Sequence, residues 1–359
     1  MMLKRRPAAA IGVAAALAVS AILSAQKKDD KKQDEAQKKE VQNLVKLADG
    51  LAAGQPAQND LSLTWVREDV LKAQGNKEYV PFIVTIDPSK VTGGSVAFYW
   101  RVVAKNGQPT ATTGTDAKKD DKKKENKDKD KEGKKSEYAY EDVAFVPVTT
   151  TQGGPMRIPR SFTVPAGSYD VVMVAKEPAS SQKNAPPPKT SIVTHTVDVP
   201  DFWNGELNTS TVIVAQRIDP LPAPLTPQQQ ADRPYALGQM EIVPQLDMTF
   251  TKKQELSTFL LIYNPKTDSA NKPDVSVEYN FHSKAGNDWK FFNKTNPQNL
   301  NAQTLPPQFD LAAGHQLQSG QAVPLASFPE GDYKLEIKIT DKIANKSLTR
   351  DVFFTVTAS

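Results

Sequence analysis

A period of two in the apolar positions predicts β-strands along most of the chain. Residues 333–339 read YKLEIKI and residues 96–103 read VAFYWRVV, so successive side chains would point to opposite faces of an extended strand. Comparable runs, separated by Pro, Gly, Asn and Asp, lie at residues 79–86, 138–148, 167–175, 191–199, 210–218, 240–250, 256–263, 275–282 and 348–357. Many short strands with turn residues between them predict an all-β protein of antiparallel sandwiches or barrels.

Residues 41–54 have the spacing of one short amphipathic helix instead. Its apolar positions, three and four residues apart, are Val41, Leu44, Val45, Ala48, Leu51 and Ala52. The helix has two alternative roles, as a cover for a sandwich face or as a partner-binding element. Val172 and Val174 favour the first, because they make the strand at 167–175 apolar on both faces and such a strand needs a cover on its outer side.

Three segments lack the residues needed for a packed core. Residues 26–40 and 116–135 are mixed tracts of Lys, Asp and Glu, and both are predicted to be disordered. The second tract lies within an insertion at 105–137 that has strand-like sequence on both sides. Residues 217–234 are rich in Pro and Gln, which predicts an extended linker between domains.

The chain contains an internal repeat of ten residues. Residues 164–173 (VPAGSYDVVM) align without a gap with residues 328–337 (FPEGDYKLEI). The shared pattern is apolar-Pro-x-Gly-x-Tyr-x-apolar-x-apolar. Pro and Gly suit a turn between strands, and a Tyr at the start of the outgoing strand can bury its ring while its hydroxyl bonds to backbone a few residues upstream.

This repeat resembles the tyrosine corner of immunoglobulin-like domains. The corner residues are Gly167 and Tyr169 in the first copy and Gly331 and Tyr333 in the second. The family has a Cys two residues after the Tyr, where this chain has Val171 and Leu335, as in disulfide-free relatives. Trp100 matches the buried tryptophan of the first copy. The resemblance implies two tandem Ig-like antiparallel β-sandwich domains, of the kind found in bacterial secreted or cell-envelope proteins, and implies no specific function.

The predicted domains are residues 60–216, which include the insertion, and residues 235–359. Without the insertion the two are nearly equal in length, and each is close to the size of one sandwich. The strand at 210–218 either closes the first domain or opens the second.

The N-terminal 25 residues have the pattern of a secretory signal peptide. A basic Lys4-Arg5-Arg6 precedes an Ala-rich apolar stretch that ends at Ala25, after which cleavage is expected, with Ala21 as the alternative. The protein is therefore expected to be secreted or periplasmic, with a membrane attachment only if this segment stays uncleaved. Cleavage removes three cations and lowers the formal charge from +4 to +1, so no nucleic-acid partner is expected.

The composition excludes several kinds of chemistry. With no cysteine, the chain has no disulfide, thiolate metal site or cysteine nucleophile. Its three histidines are not spaced as metal ligands, and the sequence has no nucleophile elbow, phosphate loop or dinucleotide-binding motif. We therefore expect no catalytic residue, no metal and no cofactor.

Aromatic clusters are the remaining candidates for function. Trp289 and Phe291 lie in NDWKFFN, and Trp203 lies in DFWNG. Such side chains are common in binding surfaces for proteins and sugars. The sequence favours a non-enzymatic protein that binds another protein or a cell-envelope component. The alternatives are a carbohydrate-binding accessory module that uses these aromatics, and a hydrolase whose carboxylates cannot be identified from the sequence.

Overall fold

The structure, a computed structural model, describes residues 35–105, 138–149, 153–180 and 184–358. The predicted signal peptide and the charged tract at 116–135 lie outside the described residues. The helical elements are α1 (35–52), a 3₁₀ turn (Pro88–Lys90) and α2 (Pro227–Gln230). Within these ranges no helix is long and apolar enough to cross a membrane.

The first half of the chain forms a sandwich of two four-stranded sheets. Its strands are β1 (Thr64–Glu68), β2 (Leu71–Lys72), β3 (Glu78–Ile86), β4 (Ser95–Ala104), β5 (Tyr140–Pro147), β6 (Met156–Val164), β7 (Gly167–Lys176) and β8 (Thr190–Val199). Sheet A has the strand order β5-β4-β7-β8. In sheet B the central strand β3 pairs with β1, β2 and β6.

The second half forms a sandwich of two six-stranded sheets. Its strands are β9 (Asn208–Thr209), β10 (Ile213–Pro220), β11 (Ala236–Leu237), β12 (Met240–Pro244), β13 (Thr249–Thr251), β14 (Glu255–Tyr263), β15 (Val275–Ala285), β16 (Asp288–Lys294), β17 (Gln298–Leu300), β18 (Leu317–Pro324), β19 (Gly331–Asp341) and β20 (Lys346–Thr357). Sheet C has the order β11-β12-β10-β14-β18, with β9 also paired to β14. Sheet D has the order β13-β20-β19-β15-β16, with β17 also paired to β15.

The all-β prediction is confirmed, and the pairing is antiparallel between almost all neighbouring strands. The exception among the described strands is β13, which runs parallel to β20. The prediction of an extended linker over 217–234 is wrong in part, because β10 continues to Pro220 and α2 forms at Pro227–Gln230.

Strand β10 belongs to the second sandwich, which answers the question left open for residues 210–218. It pairs with β12 and β14, and it continues to Pro220, past the expected start of the linker at 217. The reason lies in its apolar residues. Val214 packs into the second core while Ile213 and Ala215 pack toward the first sandwich, so the strand is covered on both faces.

Both repeats form the same corner. The Tyr169 hydroxyl donates a hydrogen bond to the Pro165 carbonyl oxygen at 2.9 Å, and the Tyr333 hydroxyl donates to the Pro329 carbonyl oxygen at 2.7 Å. Both rings are buried. Gly167 has φ +157°, and a Cβ atom there would lie 3.3 Å from the Tyr169 ring, which explains the glycine of the first copy.

Helix α1 covers the outer face of sheet A within the same chain. Leu44 and Ala48 are fully buried against a cluster that includes Tyr99, Val174 and Ile192. The apolar outer side of β7 is thereby removed from water, as its sequence requires.

The helix also includes residues 35–40, which the composition assigned to a disordered tract. Glu40 and Asp49 of the helix pair with Lys176 and Arg101, two cations on the outer face of sheet A that are buried to more than nine-tenths. Arg101 lies 2.6 Å from Asp49. Because burying an unpaired cation is costly, the pairing of Glu40 with Lys176 holds Glu40 in the helix, although composition alone predicted disorder for residues 26–40.

Sheet C is buried on both faces, so the two sandwiches share one apolar interface. Leu260 and Ile262 of β14 pack into the core of the second sandwich, whereas Phe259, Leu261 and Tyr263 of the same strand belong to the cluster that fills the first. The layers therefore follow the order helix α1, sheet A, sheet B, sheet C and sheet D.

A buried ion pair lies at this interface. Arg67 donates two hydrogen bonds to the Asp69 carboxylate, at 2.6 and 2.7 Å. Across the interface, the Tyr235 hydroxyl donates to the same carboxylate at 2.9 Å. Burial raises the pKa of Asp69, and the bonds from Arg67 and Tyr235 oppose that shift.

We predict that Tyr169→Phe and Tyr333→Phe each lower the free energy of unfolding by about 1 kcal/mol, because each removes one satisfied hydroxyl from a buried corner. Tyr140→Phe is the control, since among the described residues the Tyr140 hydroxyl makes only an exposed contact with Asp142 at 3.3 Å, and it should cost less than about 0.5 kcal/mol. Urea unfolding measures all three. Corner variants no less stable than the control would contradict a structural role for the two hydroxyls.

We also predict that Tyr235→Phe lowers the free energy of unfolding by about 1.5 to 3 kcal/mol, because it takes a hydrogen bond from a buried carboxylate. Tyr79→Phe is matched to it. The Tyr79 hydroxyl also crosses the interface, donating to the Pro234 carbonyl oxygen at 2.9 Å, and its loss should cost about 1 kcal/mol because that acceptor is neutral. Equal losses in urea unfolding would show that the charge of Asp69 adds nothing.

Candidate functional site

Strand β16 presents two of the predicted aromatic residues on the outer face of sheet D. Phe291 pairs with His282 of β15 and is 61% exposed, and Trp289 pairs with Lys284 and is half-buried. Phe292 points the other way and packs against Phe328 and Tyr333 in the core. The NDWKFFN segment therefore divides its aromatics between the core and the surface.

A third aromatic residue, Phe353 of β20, completes this surface. The pairing of β16 to β15, β15 to β19 and β19 to β20 aligns Phe291, His282, Lys334 and Phe353 in one row across the sheet. Phe353 is 55% exposed, and its ring lies 5.6 Å from the ring of Trp289 at an angle of 51°. We call Trp289, Phe291 and Phe353 the aromatic face.

Charged side chains surround the aromatic face. Lys334 lies near Glu336 at 3.5 Å and near Asp351 at 3.6 Å, and Lys284 lies 3.8 Å from Asp332. The Lys284–Asp332 pair is about half exposed, and exposed pairs contribute little to stability, so it can be exchanged for contacts with a partner. A groove of about 360 Å³ runs beside Trp289 and Phe353, toward the turn before β13.

Trp203 lies in a different place. The loop 200–207, which connects β8 to β9, holds it beside the first sandwich, where it lines a cleft of about 700 Å³ between the two sandwiches. The structure thus brings Trp289 and Phe291 together and leaves Trp203 apart from them. We call this second location the inter-sandwich cleft. Its walls include residues 72–74 and Trp203 on one side, and residues 262–265, Thr267, Asn271, 310–312 and 314–317 on the other.

The Trp203 side chain is held in a fixed position although it is 40% exposed. Its indole N–H donates to the Lys77 carbonyl oxygen at 3.1 Å, and its backbone N–H donates to the Asp201 carboxylate at 2.7 Å. The Lys72 ammonium lies 4.2 Å from the centre of the indole ring, a cation–π contact.

Asn264 connects the two sides of the cleft. Its side-chain oxygen accepts a hydrogen bond from the Lys72 ammonium at 3.0 Å, and its side-chain nitrogen donates to the carbonyl oxygens of Phe202 and Glu206, both at 2.9 Å. Beside it, the Tyr263 hydroxyl accepts a hydrogen bond from the Lys72 backbone N–H at 3.0 Å. These bonds join β14 to β2 and fix the width of the cleft.

Burial shifts the pKa values of two charged groups near the cleft, Lys72 and Glu78. Burial lowers the pKa of the Lys72 ammonium, and the Glu78 and Asp201 carboxylates partly offset this. Burial raises the pKa of Glu78, whose one carboxylate oxygen accepts from the Phe202 backbone N–H at 3.0 Å while the other has no partner in the described structure. Among the described residues, no group of three or more His, Asp or Glu side chains is placed to hold a metal ion.

Both the aromatic face and the inter-sandwich cleft include residues that the sequence did not predict as site residues. Phe353 lies between two inward residues, Val352 and Phe354, so its outward direction follows from the strand period alone. Its proximity to Trp289 cannot be read from the sequence, because it depends on three successive pairings among the four strands β16, β15, β19 and β20. Lys72 and His315 reach the cleft from distant parts of the chain, and no local pattern marks them.

Comparison with solved structures finds bacterial alpha-2-macroglobulins. Against trypsin-activated alpha-2-macroglobulin from Escherichia coli, the identity is 10%, with 85% of this chain and 17% of that chain covered and a TM-score of 0.22. Against Salmonella alpha-2-macroglobulin reacted with methylamine, the identity is 13%, with 84% and 17% covered and a TM-score of 0.19. The chain spans about a sixth of the length of these proteins, and likeness at these values supports no statement about function. No protein-family model matches the sequence, and no curated protein matches it.

Proposed function

We propose that this protein is a non-enzymatic secreted or periplasmic binding protein, built from two Ig-like modules, that contacts a protein of the cell envelope through the aromatic face. The observation that carries the proposal is the exposure of Phe291 and Phe353 beside Trp289 on an otherwise charged sheet surface. Clustered aromatics surrounded by charged residues are typical of the centre of a protein interface. The N-terminal sequence pattern supports export.

The geometry of the rings favours a protein partner over a polysaccharide at this face. The Trp289 and Phe353 rings are inclined by 51°, so they do not form one flat platform on which a sugar ring could stack. Phenylalanine also has no polar group to bond to a sugar hydroxyl. Inclined rings suit the irregular apolar surface of another protein.

We predict that Phe291→Ser together with Phe353→Ser weakens capture of one envelope protein by roughly ten- to hundredfold, because two exposed aromatic anchors are lost. The mature chain, from residue 26, would be immobilised and exposed to envelope extract. Phe145→Ser is the matched control, since Phe145 is also exposed, at 45%, but lies on β5 of the first sandwich.

The proposal requires capture by the wild-type chain and the control, loss with the double variant, and sensitivity of the captured species to protease treatment of the extract. Unfolding in urea would verify that the double variant is folded. Capture that survives both serine substitutions, or that glycosidase rather than protease removes, would reject a protein partner at this face.

A further inference from the structure

We infer that the inter-sandwich cleft is a second binding site, separate from the aromatic face, and that it takes a neutral saccharide of a few sugar units. Its volume of about 700 Å³ falls within the roughly 300–1,000 Å³ usual for small-ligand sites, which occur preferentially between domains. The inference does not depend on the proposed protein partner.

Trp203 supplies the apolar surface that a sugar ring requires. Its indole is 40% exposed, yet its N–H is bonded to the Lys77 carbonyl oxygen and the Lys72 ammonium lies over the ring. An exposed aromatic side chain usually keeps conformational freedom, whereas these two contacts already order the Trp203 side chain. A ligand that contacts it would therefore not have to order it, which favours binding.

Three side-chain amides on the walls of the cleft supply donors and acceptors. Gln74 comes from the first sandwich, and Asn271 and Gln316 come from the second. All three are exposed, and none of them makes a side-chain hydrogen bond within the described ranges. An amide offers both a donor and an acceptor, which matches a sugar hydroxyl, itself a donor and an acceptor.

The charges in the cleft favour a neutral ligand over an anion. The Lys72 ammonium is already bonded to the Asn264 side-chain oxygen at 3.0 Å and lies 4.2 Å from the centre of the Trp203 ring. His315 accepts a hydrogen bond at Nδ1 from the Asp310 backbone N–H, at 3.0 Å, so this ring nitrogen is already occupied. Lys72 is the one lysine or arginine among the described residues that line the cleft, and these contacts occupy its ammonium, so the cleft offers little to hold a phosphate or a carboxylate.

The width of the cleft is fixed before any ligand binds. Asn264 bonds to Lys72, Phe202 and Glu206, and Tyr263 bonds to the Lys72 backbone, so the two walls are joined at the floor. The shared apolar interface beneath prevents the sandwiches from separating. Binding then requires no closure of one sandwich on the other.

The test titrates the mature chain with N-acetylglucosamine trimer, cellotriose, maltotriose and trialanine, each up to the order of 10 mM, and follows amide and indole N–H signals by NMR. The chain has four tryptophans, so the Trp203 indole signal has an internal control in that of Trp289. We expect at least one trisaccharide to shift the Trp203 indole and the Gln316 amide while the Trp289 indole stays in place.

Variants separate the cleft from the rest of the surface. Trp203→Ala should weaken that trisaccharide at least tenfold, and Gln316→Ala, which removes no internal hydrogen bond, should weaken it by roughly threefold or more. Trp289→Ala should bind the trisaccharide like the wild type, even if it loses the envelope protein. Binding of trialanine alone, no shift with any saccharide, or equal affinity in the Gln316→Ala and Trp203→Ala variants and the wild type would each overturn the inference.

Discussion

The arrangement of the molecule depends on sheet C being buried on both faces. Strand β14 directs Leu260 and Ile262 to one core and Phe259 and Leu261 to the other, so neither sandwich can be removed without exposing apolar surface. The buried Arg67–Asp69 pair favours one relative orientation of the two sandwiches. The Asp69 carboxylate accepts its third hydrogen bond only when Tyr235 of the second sandwich is in place. Tandem modules joined only by a linker would have no such constraint.

Contact between the sandwiches also explains why the two candidate surfaces differ in shape, one being an open sheet face and the other a cleft. The aromatic face lies on sheet D, the outermost layer, where the side chains of Phe291 and Phe353 project into solvent. The inter-sandwich cleft lies where sheets B and C meet at their ends, and its walls come from both halves of the chain. A projecting surface suits a large partner, and a walled recess suits a small one.

Much of this fold could be predicted from the sequence, for identifiable reasons. The two tyrosine corners repeat a ten-residue pattern, and the longest strands have strong apolar periodicity. Two of the strands that the local pattern missed have clear causes. Strand β18 is an edge strand rich in Gln and Ser, and β6 contains Pro159, which sheets accept at an edge. The helical residues 35–40 were missed because their stabilising partner, Lys176, is distant in the chain. The same holds for the site residues. The outward direction of an aromatic side chain can be predicted from its position in a strand, but its neighbours from other strands cannot.

The position of helix α1 has a consequence for how the chain matures. The helix is synthesised early, yet the surface that receives it is formed by Tyr99, Val174 and Ile192, the last of which follows Leu44 by roughly 150 residues. Until Ile192 has been synthesised, the apolar face of the helix has no complete surface to pack against. During synthesis or export the apolar face of the helix would therefore stay exposed to solvent for several seconds, which is long enough for a holdase chaperone to bind it.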